Sequence, residues 1–179
     1  MARGQRAIRA ANLAIAAASA GFLVHNLHPA RIFLGDAGSI TLGFLAAFLG
    51  LVGSLQDIWD WWFPPLVFSP FIIDASVTLL RRACARAPVW QAHRDHYYQR
   101  LVQLGWGHRR TAFAEFALMS ICAVAALCAL QWTPAAQLAL LATTALAYAA
   151  LIVSIEVAWR KAHKLRKALE TQEAGDRGP

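Results

Sequence analysis

The run Asn26–Ser39 concentrates residue types that bind phosphates and divalent cations. Gly35 and Gly38 permit backbone conformations and close ligand approach that other residues resist. Ser39 is placed to cap the helix that follows, whose free N–H groups favour a phosphate. Asp36 supplies a carboxylate oxygen suited to Mg²⁺, the usual partner of a nucleotide diphosphate. The alternative is a structural Gly-Asp-x-Gly turn in which Asp36 is a capping residue.

A second run, Trp90–Leu101, is rich in histidine and arginine. If this run is helical, His93, His96 and Arg100 fall on one side at spacings of three and four. Arg94 and Arg100 suit phosphate oxygens, and histidine can share a proton or donate to a diphosphate. The alternative is a basic amphipathic helix that lies on anionic lipid headgroups.

Three carboxylates lie in or near apolar segments. Asp74 falls inside one of them, and a carboxylate within a membrane is costly and tends to be functional. Glu115 and Glu156 are nearer the ends of their segments and can reach the interface. We therefore expect a functional role for Asp74 only.

The composition indicates what kind of protein must position these residues. The chain has 179 residues, of which 58% are hydrophobic and 15% charged, with a mean hydropathy of +0.43. Soluble domains are about 45–50% apolar and about 25% charged, so an aqueous globule is excluded. The net charge of +7 is gathered in basic clusters between long apolar stretches, a pattern that favours a membrane protein over a nucleic-acid-binding one. The three cysteines support neither a disulfide framework nor a zinc site.

The hydropathy pattern predicts an all-α integral membrane protein with about five transmembrane helices. The prolines of the third span, Pro64, Pro65 and Pro70, should kink it. We expect one partial membrane domain over residues 1–169 and a disordered tail over 170–179. The predicted spans are 7–24, 39–55, 61–80, 112–131 and 136–158.

Positive charges set the predicted orientation. Residues 81–111 hold seven arginines against one acid, Asp95, which places this loop in the cytoplasm. Counting spans places the loop 25–38 and the tail from Arg160 on the same side. Both chemistry-bearing runs therefore lie on cytoplasmic loops, and we expect a cytoplasm-facing site built from the two.

The first span does not fit this orientation, because the amino terminus carries three arginines and no acid. A secretory signal cleaved near Ala18–Ala20 is one alternative. The explanation we favour is a longer protein in which an earlier helix precedes Met1. The arginines that conflict with the scheme are Arg3, Arg6 and Arg9.

At the two loops the sequence resembles the polyprenyl-phosphate N-acetylhexosamine-1-phosphate transferases, which are membrane glycosyltransferases. Residues 26–39 fit that family's N-x-x-P-A-x-I-F-x-G-D-x-G-S pattern, and Pro70–Arg82 resembles its P-I-x-D-T segment. The resemblance implies transfer of a sugar-1-phosphate from a UDP-N-acetylhexosamine to a polyprenyl phosphate such as undecaprenyl phosphate, with release of UMP. It also implies a multi-pass location in the bacterial inner membrane.

The resemblance also implies residue roles. Asp36 would be a Mg²⁺ ligand and a catalytic residue together with His96, and Phe33 would pack against the uracil. The nucleotide pocket would be lined by Asn26, Gly35 and Ser39. The diphosphate would be bound by His96 and Arg94, with His93. We count Arg100 and Asp74 among the substrate-binding candidates on their chemistry.

Two departures from the family pattern qualify these implications. The histidine motif is often H-x-H-H, but here the run is His96-Tyr97-Tyr98-Gln99, which leaves the roles of Tyr98 and Gln99 open. The family's D-D-x-x-D and N-x-x-x-D-G-x-D-G-L loops do not occur in these residues. We therefore expect the carboxy-terminal half of a longer transferase, with little activity alone and with the missing half or a homodimer partner beside it.

The rival hypothesis is a small non-enzymatic membrane protein. It would bind anionic lipid or a protein partner through the arginine-rich loop. The arginines that it requires are Arg94, Arg100, Arg109 and Arg110.

Overall fold

A computed structural model describes residues 2–27, 29–86 and 96–176 of the chain. Within these ranges all regular structure is helical, which confirms the predicted all-α class of an integral membrane protein. Four stretches of the described residues are long and apolar enough to cross a membrane: Gly4–Asn26, Gly35–Leu55, Tyr97–Ala129 and Pro134–Gln172. The helices are α1 (Ala2–Asn26), α2 (Gly35–Leu55), α3 (Phe63–Val67), α4 (Ser69–Cys84), α5 (Tyr97–Leu101), α6 (Gly107–Ala129) and α7 (Pro134–Asp176), with a π-helical segment at Val102–Trp106.

The chain divides into two compact units, Met1–Val67 and Phe68–Pro179. In the first unit, the residues that follow α2 fold back onto its last turns. The indole N–H of Trp59 donates to the carbonyl of Gly50 at 3.0 Å. A Cβ at Gly50 would lie 3.0 Å from Pro64, and a Cβ at Gly53 would overlap the Trp59 ring. These two glycines therefore allow the close packing of this unit.

The expected third span, 61–80, consists of two helices. Residues 63–67 form α3 in the first unit, and α4 begins at Ser69 in the second. Pro64 and Pro65 occupy the first turn of α3, and Pro70 occupies the first turn of α4. Because proline lacks an N–H donor but suits the first helical turn, these prolines start helices instead of kinking one.

In the second unit, α4, α6 and α7 meet at a buried polar cluster. The hydroxyls of Ser69 and Tyr148 are hydrogen-bonded at 2.9 Å, and the Ser69 hydroxyl donates to the sulfur of Cys122 at 3.5 Å. The short helix α5 and the π-helical segment contact α6 and α7 beside this cluster. Gly105 and Gly107 have φ values of 97° and 73°, which only glycine adopts readily, and they join the π-helical segment to α6.

The last helix is longer than the predicted span 136–158. It continues to Asp176 and so includes residues 170–176, where a disordered tail was expected. No proline or glycine occurs between Pro134 and Gly175, and the residues after Arg160 are mostly good helix formers. The apolar span therefore nucleates a helix that nothing in the following sequence stops.

Candidate active site

The loop between α1 and α2 is closed by two hydrogen bonds to the end of α1. Asn26 Nδ2 donates to the carbonyl of Ile32 at 2.8 Å, and the Arg31 N–H donates to the carbonyl of His25 at 2.9 Å. Immediately before α2, the Phe33 ring is 82% exposed. Asn26 thus shapes the loop, and Phe33 offers an open aromatic face.

The start of α2 differs from the predicted start in one important respect. Gly35 has a φ of 64°, in the left-handed region, and the helix begins there. The expectation that Ser39 caps this helix is wrong, because Ser39 lies within it and its hydroxyl donates to the Asp36 carbonyl at 3.3 Å. The positive φ of Gly35 sets the entry into the helix four residues earlier than Ser39.

Asp36 lies in the first turn of α2 with an exposed side chain. The residue at the N-cap position is Leu34, whose apolar side chain cannot cap the helix by a hydrogen bond. A Cβ at Gly38 would lie 2.6 Å from the Leu34 side chain, so Gly38 serves to admit that side chain. The first turn of α2 therefore combines a carboxylate with backbone N–H groups at the positive end of the helix dipole.

In the second unit, Asp74 on α4 caps α5. Its Oδ1 accepts the Tyr97 backbone N–H at 2.8 Å and the Thr78 hydroxyl at 3.2 Å. His96 occupies the N-cap position with φ −59° and ψ 146°. The expectation that His96 and Arg100 share one helix face is therefore wrong, because His96 precedes the helix in extended backbone.

Asp74 and His96 are brought together. The Nδ1 of His96 lies 3.7 Å from Oδ1 of Asp74, and the imidazole stacks on the Tyr98 ring with the centroids 5.8 Å apart. A carboxylate at this distance can orient an imidazole ring. Two other predicted site residues, His93 and Arg94, lie outside the described residues.

Arg100 takes part in an arginine–carboxylate cluster that the sequence did not predict. One oxygen of Glu156 on α7 lies 2.6 Å from Arg100 Nη1 and 3.6 Å from Arg81 Nη1. The other oxygen lies 2.9 Å from Arg160 Nε. We call Glu156 with Arg81, Arg100 and Arg160 the Glu156 cluster, and it joins α4, α5 and α7.

Arg100 is only 5% exposed. Its guanidinium lies between two aromatic rings, 5.3 Å from the centroid of Tyr97 and 5.1 Å from that of Trp159. A buried, paired and stacked arginine is held in place by these contacts. In this structure Arg100 fastens α5 to α7, which is a different use from the phosphate contact expected of it. Part of this cluster could be predicted from the sequence, because Glu156 lies four residues before Arg160 and such a spacing favours an ion pair on a helix.

Beside Asp74 lies a cavity of about 40 Å³. Glu115 also lines it, together with apolar side chains such as Ile73 and Leu118. Ligand pockets usually measure about 300–1,000 Å³, so this space is far too small for a nucleotide sugar.

The carboxylate donors are sparse. Among the described residues, no group of three or more His, Cys, Asp or Glu side chains is placed to hold a metal ion. Mg²⁺ is commonly held by one or two carboxylates, with waters and substrate phosphates completing its shell. Asp36 has an exposed carboxylate and is therefore suited to be the single protein ligand of such a site.

Comparisons with known proteins agree with the resemblance drawn from the two motifs. Residues 1–54 match the family model described as glycosyl transferase family 4. A probable undecaprenyl-phosphate N-acetylglucosaminyl 1-phosphate transferase of Bacillus subtilis is 29% identical over 126 residues, covering 69% of this chain and 35% of that protein. A decaprenyl-phosphate N-acetylglucosaminephosphotransferase of Mycobacterium tuberculosis is 28% identical over 137 residues, covering 69% and 34%.

A third relative, the phospho-N-acetylmuramoyl-pentapeptide-transferase of Moorella thermoacetica, is 29% identical over 116 residues, covering 64% of this chain and 35% of that protein. Residues 1–54 are therefore similar to glycosyl transferase family 4, and the Bacillus and Mycobacterium relatives are polyprenyl-phosphate sugar-1-phosphate transferases. The chain spans about a third of the length of the curated relatives that it matches. No solved structure matches the chain.

Proposed function

We propose that this chain forms part of a membrane transferase that moves N-acetylhexosamine-1-phosphate from a UDP-sugar to a polyprenyl phosphate. The enzyme lies in the bacterial inner membrane with its site facing the cytoplasm. The observation that carries the proposal is the α1–α2 loop, in which an exposed Phe33 precedes, by three residues, Asp36 in the first turn of α2. That arrangement pairs a surface for a base with a place for a diphosphate.

The first unit supplies the nucleotide-binding part of this proposal. The open face of Phe33 stacks against the uracil, since every base offers a π-face to an aromatic ring. The first-turn N–H groups of α2 attract the diphosphate. Asn26 acts indirectly, because its bond to the Ile32 carbonyl fixes the loop that carries Phe33.

Asp36 is the residue of this chain that would hold Mg²⁺. A bound Mg²⁺ neutralises the charge of the diphosphate during the transfer. The remaining ligands would come from the substrate, from water or from carboxylates outside this chain, because phosphoryl transfer rests mainly on positioning and electrostatics.

The second unit supplies the basic group. The imidazole of His96, with its Nδ1 3.7 Å from the Asp74 carboxylate, offers a ring nitrogen that can donate a hydrogen bond to the phosphates. Asp74 and Arg100 are then positioning residues for α5, since Asp74 caps this helix and Arg100 fastens it to α7. Arg94 and His93 stay proposed diphosphate ligands.

The test is equilibrium binding of fluorescently labelled UDP to the full chain in zwitterionic lipid nanodiscs, with and without Mg²⁺. We expect binding to require Mg²⁺ and to weaken in Asp36→Asn. It should weaken about 5- to 150-fold in Phe33→Ala, since one base–aromatic stack is worth about 1–3 kcal/mol. Asp60→Asn is the matched control, because Asp60 is another exposed carboxylate of the same unit. Its affinity should match that of the unchanged chain.

UMP release should then appear when the chain is co-expressed with a region that carries the D-D-x-x-D loop, and it should be lost in Asp36→Ala. Nucleotide binding that is independent of both Mg²⁺ and Asp36 contradicts the proposal, as does robust transfer that survives Asp36→Ala. Lipid association that is abolished by replacing the exposed Arg109 and Arg110, in a chain without nucleotide binding, favours the non-enzymatic hypothesis instead.

A further inference from the structure

The end of α7 carries an exposed amphipathic surface that the transferase proposal does not use. From Arg160 to Gln172 every residue is exposed. Between residues 158 and 169 four apolar residues recur at spacings of four, three and four, which is the spacing of a coiled-coil seam. We call Ala158, Ala162, Leu165 and Leu169 the α7 seam.

The large side chains of the α7 seam are open to solvent. Leu165 is 64% exposed and Leu169 is 52% exposed. At about 100° per residue, the four positions fall within an arc of about 60° on one side of the helix. Arg160, Lys164 and Lys167 fall on the opposite side, so the apolar stripe is sharply bounded.

The charges and the continuity of the helix argue against burial of this seam in the bilayer. The helix runs without interruption to Asp176, and no proline or glycine precedes Gly175 that would let it bend onto the membrane surface. Leu165 and Leu169 lie six and ten residues beyond Trp159, or about 9 and 15 Å along the axis. The basic residues at 160, 161 and 164 keep this stretch out of the hydrocarbon.

The charges that flank the seam indicate what kind of partner fits it. Lys161 and Arg166 lie on either side of the seam, at the g and e positions of the heptad. Side chains at these positions face the side chains of a partner helix. In a parallel pairing of two copies, each Lys161 would face the Arg166 of the other copy, and such like charges oppose association. The stretch 160–172 holds five basic residues and one acid, Glu170.

We propose that the α7 seam is the docking surface for an acidic amphipathic helix of another protein. Leucine-sized residues of the partner would pack on Leu165 and Leu169, and its carboxylates would pair with Lys161 and Arg166. Because the α7 surface is already helical, the partner alone would become ordered on binding.

The test uses the full chain in zwitterionic nanodiscs and two designed peptides. Both peptides are helical with leucines at the a and d positions, and they carry either glutamate or lysine at the e and g positions. We expect the acidic peptide to bind at least about tenfold more tightly than the basic one by fluorescence anisotropy, and to bind less tightly as salt is raised.

The variants separate the seam from general basicity. Leu165→Ser with Leu169→Ser should weaken binding of the acidic peptide at least about tenfold, and so should Lys161→Glu with Arg166→Glu. Lys164→Glu with Lys167→Glu is the matched control, because it makes the same change of charge on the opposite face. It should weaken binding less than about threefold. Circular dichroism establishes that each variant keeps its helix.

Four results overturn the proposal. Equal binding of both peptides shows that the flanking charges do not select an acidic partner, and equal loss in the seam variants and in the control leaves only general basicity. Self-association of the chain that disappears in Leu165→Ser with Leu169→Ser assigns the seam to a second copy. A seam that binds anionic nanodiscs and no peptide assigns it to lipid. None of these results bears on UDP binding at Asp36, which tests the transferase proposal separately.

Discussion

Replacing Glu156 by glutamine tests whether the Glu156 cluster holds the second unit together. The substitution keeps the shape of the side chain and removes the anion shared by Arg81, Arg100 and Arg160. Arg100 is 5% exposed and would stay buried after the charge of Glu156 is removed. Breaking a buried pair on one side costs about 3–5 kcal/mol.

We expect Glu156→Gln to fall at the lower end of this range, because the amide oxygen can still accept a hydrogen bond from Arg100. A loss of about 3 kcal/mol lowers the Tm of a chain of this size by about 6–12 °C. Thermal unfolding of the full chain in detergent micelles, followed by near-ultraviolet circular dichroism, measures this shift.

Arg160→Gln is the control, because it removes an exposed partner of the same carboxylate. An exposed pair is worth about 0–1 kcal/mol, so this variant should lose no more than about 4 °C. The double variant Arg100→Gln with Glu156→Gln should lose less than the sum of the two single losses. Strict additivity, or a Glu156→Gln shift no larger than that of Arg160→Gln, would refute the idea of a buried, coupled pair.

Two further predictions follow from the second unit. Tyr148→Phe removes the hydroxyl bonded to Ser69 at 2.9 Å, and it should destabilise the chain by about 1–3 kcal/mol in the same melt. Tyr148→Phe should not affect UDP binding. A stability equal to that of the unchanged chain would show that the Ser69–Tyr148 hydrogen bond contributes no net free energy of unfolding. Gly105→Ala forces a Cβ onto a φ of 97° and should lower stability by about 1–3 kcal/mol, whereas Gly43→Ala, which meets nothing within 4 Å, should be neutral or stabilising. Equal effects of the two glycine substitutions would contradict the strain at Gly105.

The hydropathy pattern was sufficient to predict the class of fold. Long apolar runs separated by basic loops identified the all-helical membrane class before any contact was known, because the bilayer imposes its own length and composition on the chain. Helix ends were harder to place. The start of α2 at Gly35, ahead of Ser39, depends on a left-handed φ that a Gly-Asp-x-Gly-Ser run permits but does not require.

The candidate site was partly visible in the sequence for a similar reason. Asn26, Phe33 and Asp36 lie within eleven consecutive residues, so local sequence brings them together. The Glu156 cluster joins α4, α5 and α7 across a chain distance of up to 75 residues, from Arg81 to Glu156. Arg160 lies four residues after Glu156 on the same helix, but only tertiary packing brings Arg81 and Arg100 to this carboxylate, and no local pattern indicates that they meet it.

The continuity of α7 has a mechanical consequence. Glu156 and Leu165 lie nine residues apart on one uninterrupted helix, or about 14 Å along its axis. A rotation of this helix about its axis by about 20° would move the Glu156 carboxylate, about 5–6 Å from the axis, by about 2 Å. That arc is comparable with the 2.6 Å contact to Arg100. A twist of the helix near Leu165 would therefore displace the carboxylate of the ion pair that fastens α5.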